Sequence, residues 1–334
     1  MTKKPVREQV VVVTGASSGL GRAIVREAGR RGAGVVAAAR NSDGLDGAVA
    51  EVAAYGSDAV AVEADLAGED DCARVVEAAL DRFGRIDSFV RCPMVTVYAE
   101  AERLTAEELR RVFDVNFFGG VYAFWAALPH LKETRGTFLD VNSALAYRGI
   151  PLQAAYCATK AALRTFLESA RVELERAEAG VDVCVVLPGA VNTPQFDRAR
   201  QKTGLQPQPI PPIYQPEPFA EAIVHLLEHP LREVPLGWGA QKLLWGQKLS
   251  PRAGDLVLLR NGWSGQTTGE PKPLDAPDNL FDTMRGDPGA RGRFSEESRA
   301  STAWTTLRLT PARVALGALV GAGAAVATLV ARRD

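Results

Sequence analysis

No two of the four cysteines form a CxxC pair: Cys72, Cys92, Cys157 and Cys184 are spread along the chain. That excludes a cysteine-built zinc knuckle and a disulfide scaffold, and it fits reduced, largely buried thiols in a cytosolic protein. Histidine is as scarce. His130, His225 and His229 are too few and too scattered to suggest a metal site, so no metal is expected. No excess of either charge exists, with Lys+Arg at 39 against Asp+Glu at 40 and a net charge of −1. Nothing in that balance argues for nucleic acid as a partner. A secretion signal is missing as well, because the first apolar run is only Val10 to Val13 before Thr14 and Gly15. It reads as a strand, and a cytoplasmic catalytic domain is the expectation.

What is present is alternation. The 334 residues are 46% hydrophobic, enough for a sizeable core in one large domain or two small ones. The stretches "QVVVVTG", "GVVAAAR", "AVAVEADL", "IDSFVRC", "GTFLDVNS" and "VDVCVVLPG" read as six buried strands. Helical patterns separate them: "GLGRAIVREAGRRG", a stretch to about Tyr55, "EDDCARVVEAALDRFG", residues 105–132, and the run containing "AAYCATKAAL". Strand and helix in strict turn imply an α/β fold, a doubly wound parallel sheet (Rossmann fold) with helices on both faces.

Beyond Pro188 the texture changes. Seven prolines fall within residues 193–218, "FAEAIVHLLEHP" restores one helix, and residues 246–300 are rich in Gly, Pro and charge with little periodicity. Trp238, Trp245, Trp263 and Trp304 suggest an irregular extension pinned by aromatic anchors. The expected organisation is a Rossmann-fold domain over 1–245, a Gly/Pro-rich extension over 246–303, and a hydrophobic C-terminal helix over 304–334. The one long apolar run, residues 314–331, carries no charge for 18 residues. As a helix it measures roughly 27 Å, enough for a thin hydrocarbon core. Gly317 and Gly321 form a GxxxG face, and no polar face is present, which favours a membrane anchor over a docked helix or a disordered tail.

The first strand runs into "TGASSGLG" and then a helix. Gly15, Gly19 and Gly21 leave backbone N–H groups open to a phosphate at the helix start, and Ser17 and Ser18 add hydroxyls around Leu20. A dinucleotide site is expected here. The second strand ends on Arg40 with no acid before Asp43. A basic side chain there suits the 2′-phosphate of NADP, with NAD the lesser alternative, and Arg22 is placed to assist.

Tyr156 and Lys160 stand one helical turn apart, which fits either a proton donor beside a cation or an ordinary exposed helix. Ser143 closes the fifth strand and "LPGAVNTP" the sixth, both at the edge where such sheets bind ligands. Taken in order, "TGASSGLG", Asp65 in "EADL", Asn116 in "FDVNFFG", Ser143, "YCATK" and "PGAVNT" closely resemble the short-chain dehydrogenase/reductase family across residues 8 to about 195.

The resemblance implies roles. Tyr156 would be the acid/base, with Lys160 stabilising its phenolate and holding the nicotinamide ribose. Ser143 would bond the substrate oxygen and Asn116 would position a relay water. Asp65 would contact adenine, Gly189 and Val191 would border the nicotinamide, and Thr193 would lie near its carboxamide or phosphate. The implied protein is an NADP-dependent oxidoreductase acting on a carbonyl or secondary alcohol, and a homo-oligomer is expected. Leu145, Tyr147, Ile150, Leu152, Phe196, Ile210, Ile213 and Tyr214 suggest an apolar substrate pocket. One segment departs from the family pattern: Arg91 to Met94, "RCPM", stands where Asn-Asn-Ala-Gly is expected. Pro93 removes an N–H and Met94 adds bulk. A non-catalytic nucleotide-binding or scaffold protein on the same fold is the alternative.

Overall fold

The structure, a computed structural model, describes residues 3–302 together with Thr305 and Leu309. The apolar run at 314–331 lies outside the described residues. Among the described residues no helix is long and apolar enough to cross a membrane.

Seven parallel strands form the central sheet: β1 (Val10–Thr14), β2 (Gly34–Ala39), β3 (Ala59–Glu63), β4 (Ser88–Arg91), β5 (Thr137–Val141), β6 (Asp182–Pro188) and β7 (Glu233–Leu236). Their order is β7-β6-β5-β4-β1-β2-β3. β7 is one strand more than the hydrophobic runs suggest. Its four residues, with Pro235 inside, are too short to give a periodic signal, and β7 exists by pairing with β6. The chain reverses direction across the sheet at β1, and this switch opens a crevice beyond the carboxyl ends of β1 and β4.

Helices cover both faces. α1 (Gly19–Arg30) and α2 (Ser42–Ala53) pack on one side of the sheet. α3 (Glu69–Phe83), α5 (Gly119–Thr134) and α6 (Ala154–Arg176) pack on the other. α4 (Ala106–Phe113) starts on a Thr105/Glu108 capping box and runs into a π-helical turn, Asp114–Phe118, that carries Asn116. α7 (Pro216–Glu228) joins the α1 side.

The extension is more regular than its composition suggests. α8 (Trp238–Leu249) runs across residue 245, and α9 (Pro251–Asn261) follows directly, N-capped by Ser250. No α9 residue is buried, so no apolar stripe betrays the helix in the sequence. Residues 262–302 are stitched to the domain by short pairings, Thr267–Pro271 with Leu205–Pro207 and Ser298–Arg299 with Ile213–Tyr214. The tryptophans are not buried anchors. Trp238 and Trp245 stack edge to face at 37% and 46% exposure, and Trp263 is 43% exposed with its Nε1–H donating to Glu100. Trp304 lies outside the described residues. The extension is held by polar contacts together with the buried Leu280, Ala290 and Phe294, none of them a tryptophan.

The histidines also differ from expectation. His225 in the last turn of α7 and His229 at its C-cap stack with ring centres 4.6 Å from each other and Glu228 beside them, a grouping able to hold a metal ion. Glu228 is already engaged, its Oε1 accepting the Val6 N–H at 2.7 Å.

Candidate active site

The glycine-rich turn is shaped by two contacts that no side chain tolerates. Gly15 has φ +72°, and a Cβ there would lie 2.6 Å from the Pro93 nitrogen. A Cβ on Gly21 would lie 2.1 Å from the Gly15 carbonyl oxygen. The "RCPM" segment therefore rests directly on the turn. Gly15, Ser17, Ser18, Gly19, Leu20 and Gly21 line one cavity of about 470 Å³. The same cavity meets Arg40, Asp65, Ser143, Tyr156, Lys160, Gly189, Val191 and Thr193. Strand ends bring these residues together from distant parts of the sequence.

At the β2 end, Arg40 donates to the Phe281 carbonyl at 3.0 Å and the Asn279 carbonyl at 2.6 Å. Burial lowers its pKa, against the pull of Asp65. Asp65 accepts from Arg111 at 2.6 Å. Arg22 does not line the cavity. Its guanidinium is buried and paired with Glu51 and Asp287, each at 3.1 Å.

At the β5 end, Tyr156 is buried, which pushes its phenol pKa up, while the Ser143 hydroxyl pulls it down. Lys160 Nζ sits 5.6 Å from the Tyr156 ring centre and donates to the Val141 carbonyl at 3.0 Å. Burial brings its pKa down to about 8, with Asp140 opposing and Arg91 reinforcing. Desolvation is the largest cause in both shifts, raising the phenol and lowering the ammonium.

Asn116 does not reach the cavity. Its side-chain amide donates to the Val95 carbonyl and Thr159 Oγ1, and its Oδ1 accepts the Val95 N–H at 2.9 Å. Its backbone carbonyl accepts from Arg91 at 2.8 Å. Arg91 is fully buried, paired with the equally buried Asp140 at 3.2 Å, and also donates to the Val115 carbonyl. Asp140 in turn accepts from Asn142, whose amide touches the Lys160 carbonyl. Beneath the tyrosine and lysine there is therefore a charged, hydrogen-bonded floor.

A comparison with known proteins decides what this arrangement belongs to: the family described as short chain dehydrogenase matches residues 9–204. The chain belongs to the short-chain dehydrogenase/reductase family. It is 36% identical over 286 residues to an uncharacterized oxidoreductase, YxnA, of Bacillus subtilis, covering 85% of this chain and 80% of that one. It is also 36% identical to an 11-beta-hydroxysteroid dehydrogenase-like protein, 4A, of Arabidopsis thaliana, over 56% of this chain and 62% of that protein. Among solved structures, an alcohol dehydrogenase from Thermococcus sibiricus complexed with 5-hydroxy-NADP matches at 28% identity and TM-score 0.60. That match covers 68% of this chain and 94% of that one. A short chain dehydrogenase from Mycobacterium paratuberculosis bound to NAD shares the fold at 23% identity and TM-score 0.63, over 72% of this chain and all of that one.

Within this short-chain dehydrogenase, Leu145, Ile150, Phe196 and Ile210 line the cavity as expected. Four others do not. Tyr147 turns to Glu233, Leu152 packs on Tyr98 and Ala199, and Ile213 and Tyr214 are buried in a short strand pairing. Met94, Leu243 and Leu258 line it instead, and Leu258 and Met94 pack around Tyr156. Leu258 comes from α9, for which the sequence offered no signal. Asn279, Thr283 and Met284 of the extension also line it, placed only by tertiary contacts.

Proposed function

We propose that the protein is an NADP(H)-dependent oxidoreductase acting on a carbonyl or secondary alcohol of an apolar small molecule. One observation carries this reading: Ser143, Tyr156 and Lys160 share a single cavity with the glycine-rich turn. The residues fit a dinucleotide, since the turn from Gly15 to Gly21 lines the cavity with two serine hydroxyls, Ser17 and Ser18, and Gln195 Nε2 and Asn279 Oδ1 are buried without partners on its wall. The dinucleotide, when bound, supplies or accepts the hydride. Tyr156 gives its proton to the carbonyl oxygen in reduction and recovers it in oxidation, while Ser143 Oγ–H holds that oxygen. Lys160 provides the positive charge that a phenolate needs and the donors for ribose hydroxyls. Asp65 meets the adenine, Gly189, Val191 and Thr193 border the nicotinamide, and Arg40, with no acid at the β2 end, supports NADP over NAD. Tyr156→Phe should abolish turnover on a carbonyl panel while NADPH still binds, and Lys160→Ala should damage both. Rates for Tyr156→Phe within tenfold of the unmodified protein would sink the assignment.

A second reading draws on Arg91. Its guanidinium holds the carbonyl of Asn116, the residue expected to serve the relay, and this favours a nucleotide-binding protein that does not turn over. NADPH-induced thermal stabilisation with no consumption across the carbonyl panel would select it. The exposed Phe118 of the π-helical turn, Trp125 of α5 and Val172 of α6 support a homo-oligomer, which sedimentation velocity reads directly. We also propose a Rossmann-fold domain, an extension and a C-terminal tail in that order, with the first boundary beyond Leu249 rather than at 245 because α8 runs unbroken through that point, and anchoring by 314–331. If full-length protein stays in the supernatant after detergent-free ultracentrifugation, as a chain ending at Thr310 should, the anchor is refuted.

A further inference from the structure

The extension does more than cover the domain: between residues 278 and 295 it crosses the cofactor crevice from one bank to the other. On the β2 bank, Arg40 holds the carbonyls of Asn279 and Phe281, and Arg111 holds that of Leu280 at 3.0 Å. Asn41 donates to the Gly286 carbonyl at 2.9 Å, and the Gly286 N–H donates to Asp43 at 2.7 Å. Asp287 pairs with Arg22, and the Gly19 N–H, at the start of α1, donates to the Gly289 carbonyl at 3.0 Å. On the β6 bank, the Phe294 N–H donates to Asn192 at 3.0 Å, and Gly292 fits so closely that a Cβ would sit 2.4 Å from the Thr193 carbonyl oxygen. In the middle, Asn279 bonds Gln195 at 3.1 Å, a bridge over the crevice made by two amides. Asn279 Oδ1 and Gln195 Nε2 are buried with no partner. Whichever way the two amides are turned, one N–H donor and one acceptor between them stay unused, on the wall of the cavity.

We propose that residues 278–292 are a strap over the bound dinucleotide, that the Asn279–Gln195 pair contacts its diphosphate-ribose portion, and that dinucleotide leaves only when the strap opens. The proposal rests on the reading of this crevice as a dinucleotide site. Two of the ties on the β2 bank, those through Asp43 and Asp287, can be cut without touching the cavity, because neither residue lines it. Arg22 keeps its two bonds to Glu51 when Asp287 is removed, so no buried cation is left unpaired.

The test is stopped-flow displacement of NADPH, followed by its own fluorescence, in the full chain and in Asp43→Ala/Asp287→Ala. Strap opening is read separately as the rate of tryptic cleavage after the exposed Arg285, located by mass spectrometry. The double variant should release NADPH at least tenfold faster, be cut faster after Arg285, and melt within a few degrees of the unmodified protein. Asn279→Ala should weaken NADPH binding with cleavage unchanged. Release at the unmodified rate from a variant whose strap is cut faster overturns the proposal. If the unmodified chain gives no signal with either NADPH or NADH, the dinucleotide reading falls, and the strap with it.

Discussion

Replacing Arg91 by methionine tests the charged floor under Tyr156 and Lys160. Both Arg91 and Asp140 have fully buried side chains, and their contact is 3.2 Å. Removing the guanidinium leaves the Asp140 carboxylate with Asn142 as its remaining hydrogen-bond donor, at 2.7 Å, and strips a donor from the Val115 and Asn116 carbonyls. Breaking a buried pair from one side costs about 3–5 kcal/mol, because an uncompensated charge stays behind. With an unfolding entropy of ~2.1 cal/mol/K per residue, a chain of this size should lose roughly 4–7 °C in melting temperature. Asp140→Leu in the same protein removes the stranded charge, so the double variant should recover at least about half of the loss. Arg91 also helps keep the Lys160 pKa low, so Arg91→Met should hold Lys160 protonated to higher pH. Calorimetry on both variants, with a pH titration of the Lys160 side chain by NMR, reads each consequence. A loss under about 1 kcal/mol, or a double variant no more stable than the single one, would refute the reasoning.

Lys160 itself makes stability depend on pH. Its folded pKa of about 8 lies below the ordinary 10.5, so between those values the unfolded chain binds more protons and stability gains from rising pH. Cys92, buried and pushed up to about 12, acts in the opposite sense, so the measurable quantity is a difference. Chemical denaturation from pH 7 to 10.5 should show a more positive slope for the unmodified protein than for Lys160→Met, and equal slopes would contradict the assignment. Gly21→Ala drives a Cβ to 2.1 Å from the Gly15 carbonyl oxygen, and should cost about 1–3 kcal/mol with a loss of NADPH binding, both read by thermal shift with and without NADPH. Arg40→Asp should turn cofactor preference from NADP toward NAD, measured as the ratio of the two dissociation constants; an unchanged ratio would remove Arg40 from the 2′-phosphate site.

The existence and parallel direction of β1 to β6 were legible because strands buried on both faces must be continuous apolar runs, and because a helix between consecutive strands forces them parallel. The glycine-rich turn was legible for a local reason, since only glycine meets the contacts at positions 15 and 21. Tyr156, Lys160 and Ser143 could be named because helix spacing and strand ends are local properties. What the charges do could not be read the same way. Arg22 and Arg40 both looked available for a phosphate, yet partners more than 230 residues away, Asp287 for one and the Asn279 and Phe281 carbonyls for the other, take much of their hydrogen bonding. The pKa values of Tyr156 and Lys160 follow from burial, which no spacing reveals. α9 leaves no periodic trace because none of its residues is buried, and the strap leaves none because it is irregular chain held by backbone carbonyls and by single buried side chains such as Leu280 and Ala290. The sequence by itself determined six of the seven strands and the turn, and named candidate reacting groups; only the tertiary structure decided what covers them and which partners each one meets, because burial and long-range pairing belong to the packed chain.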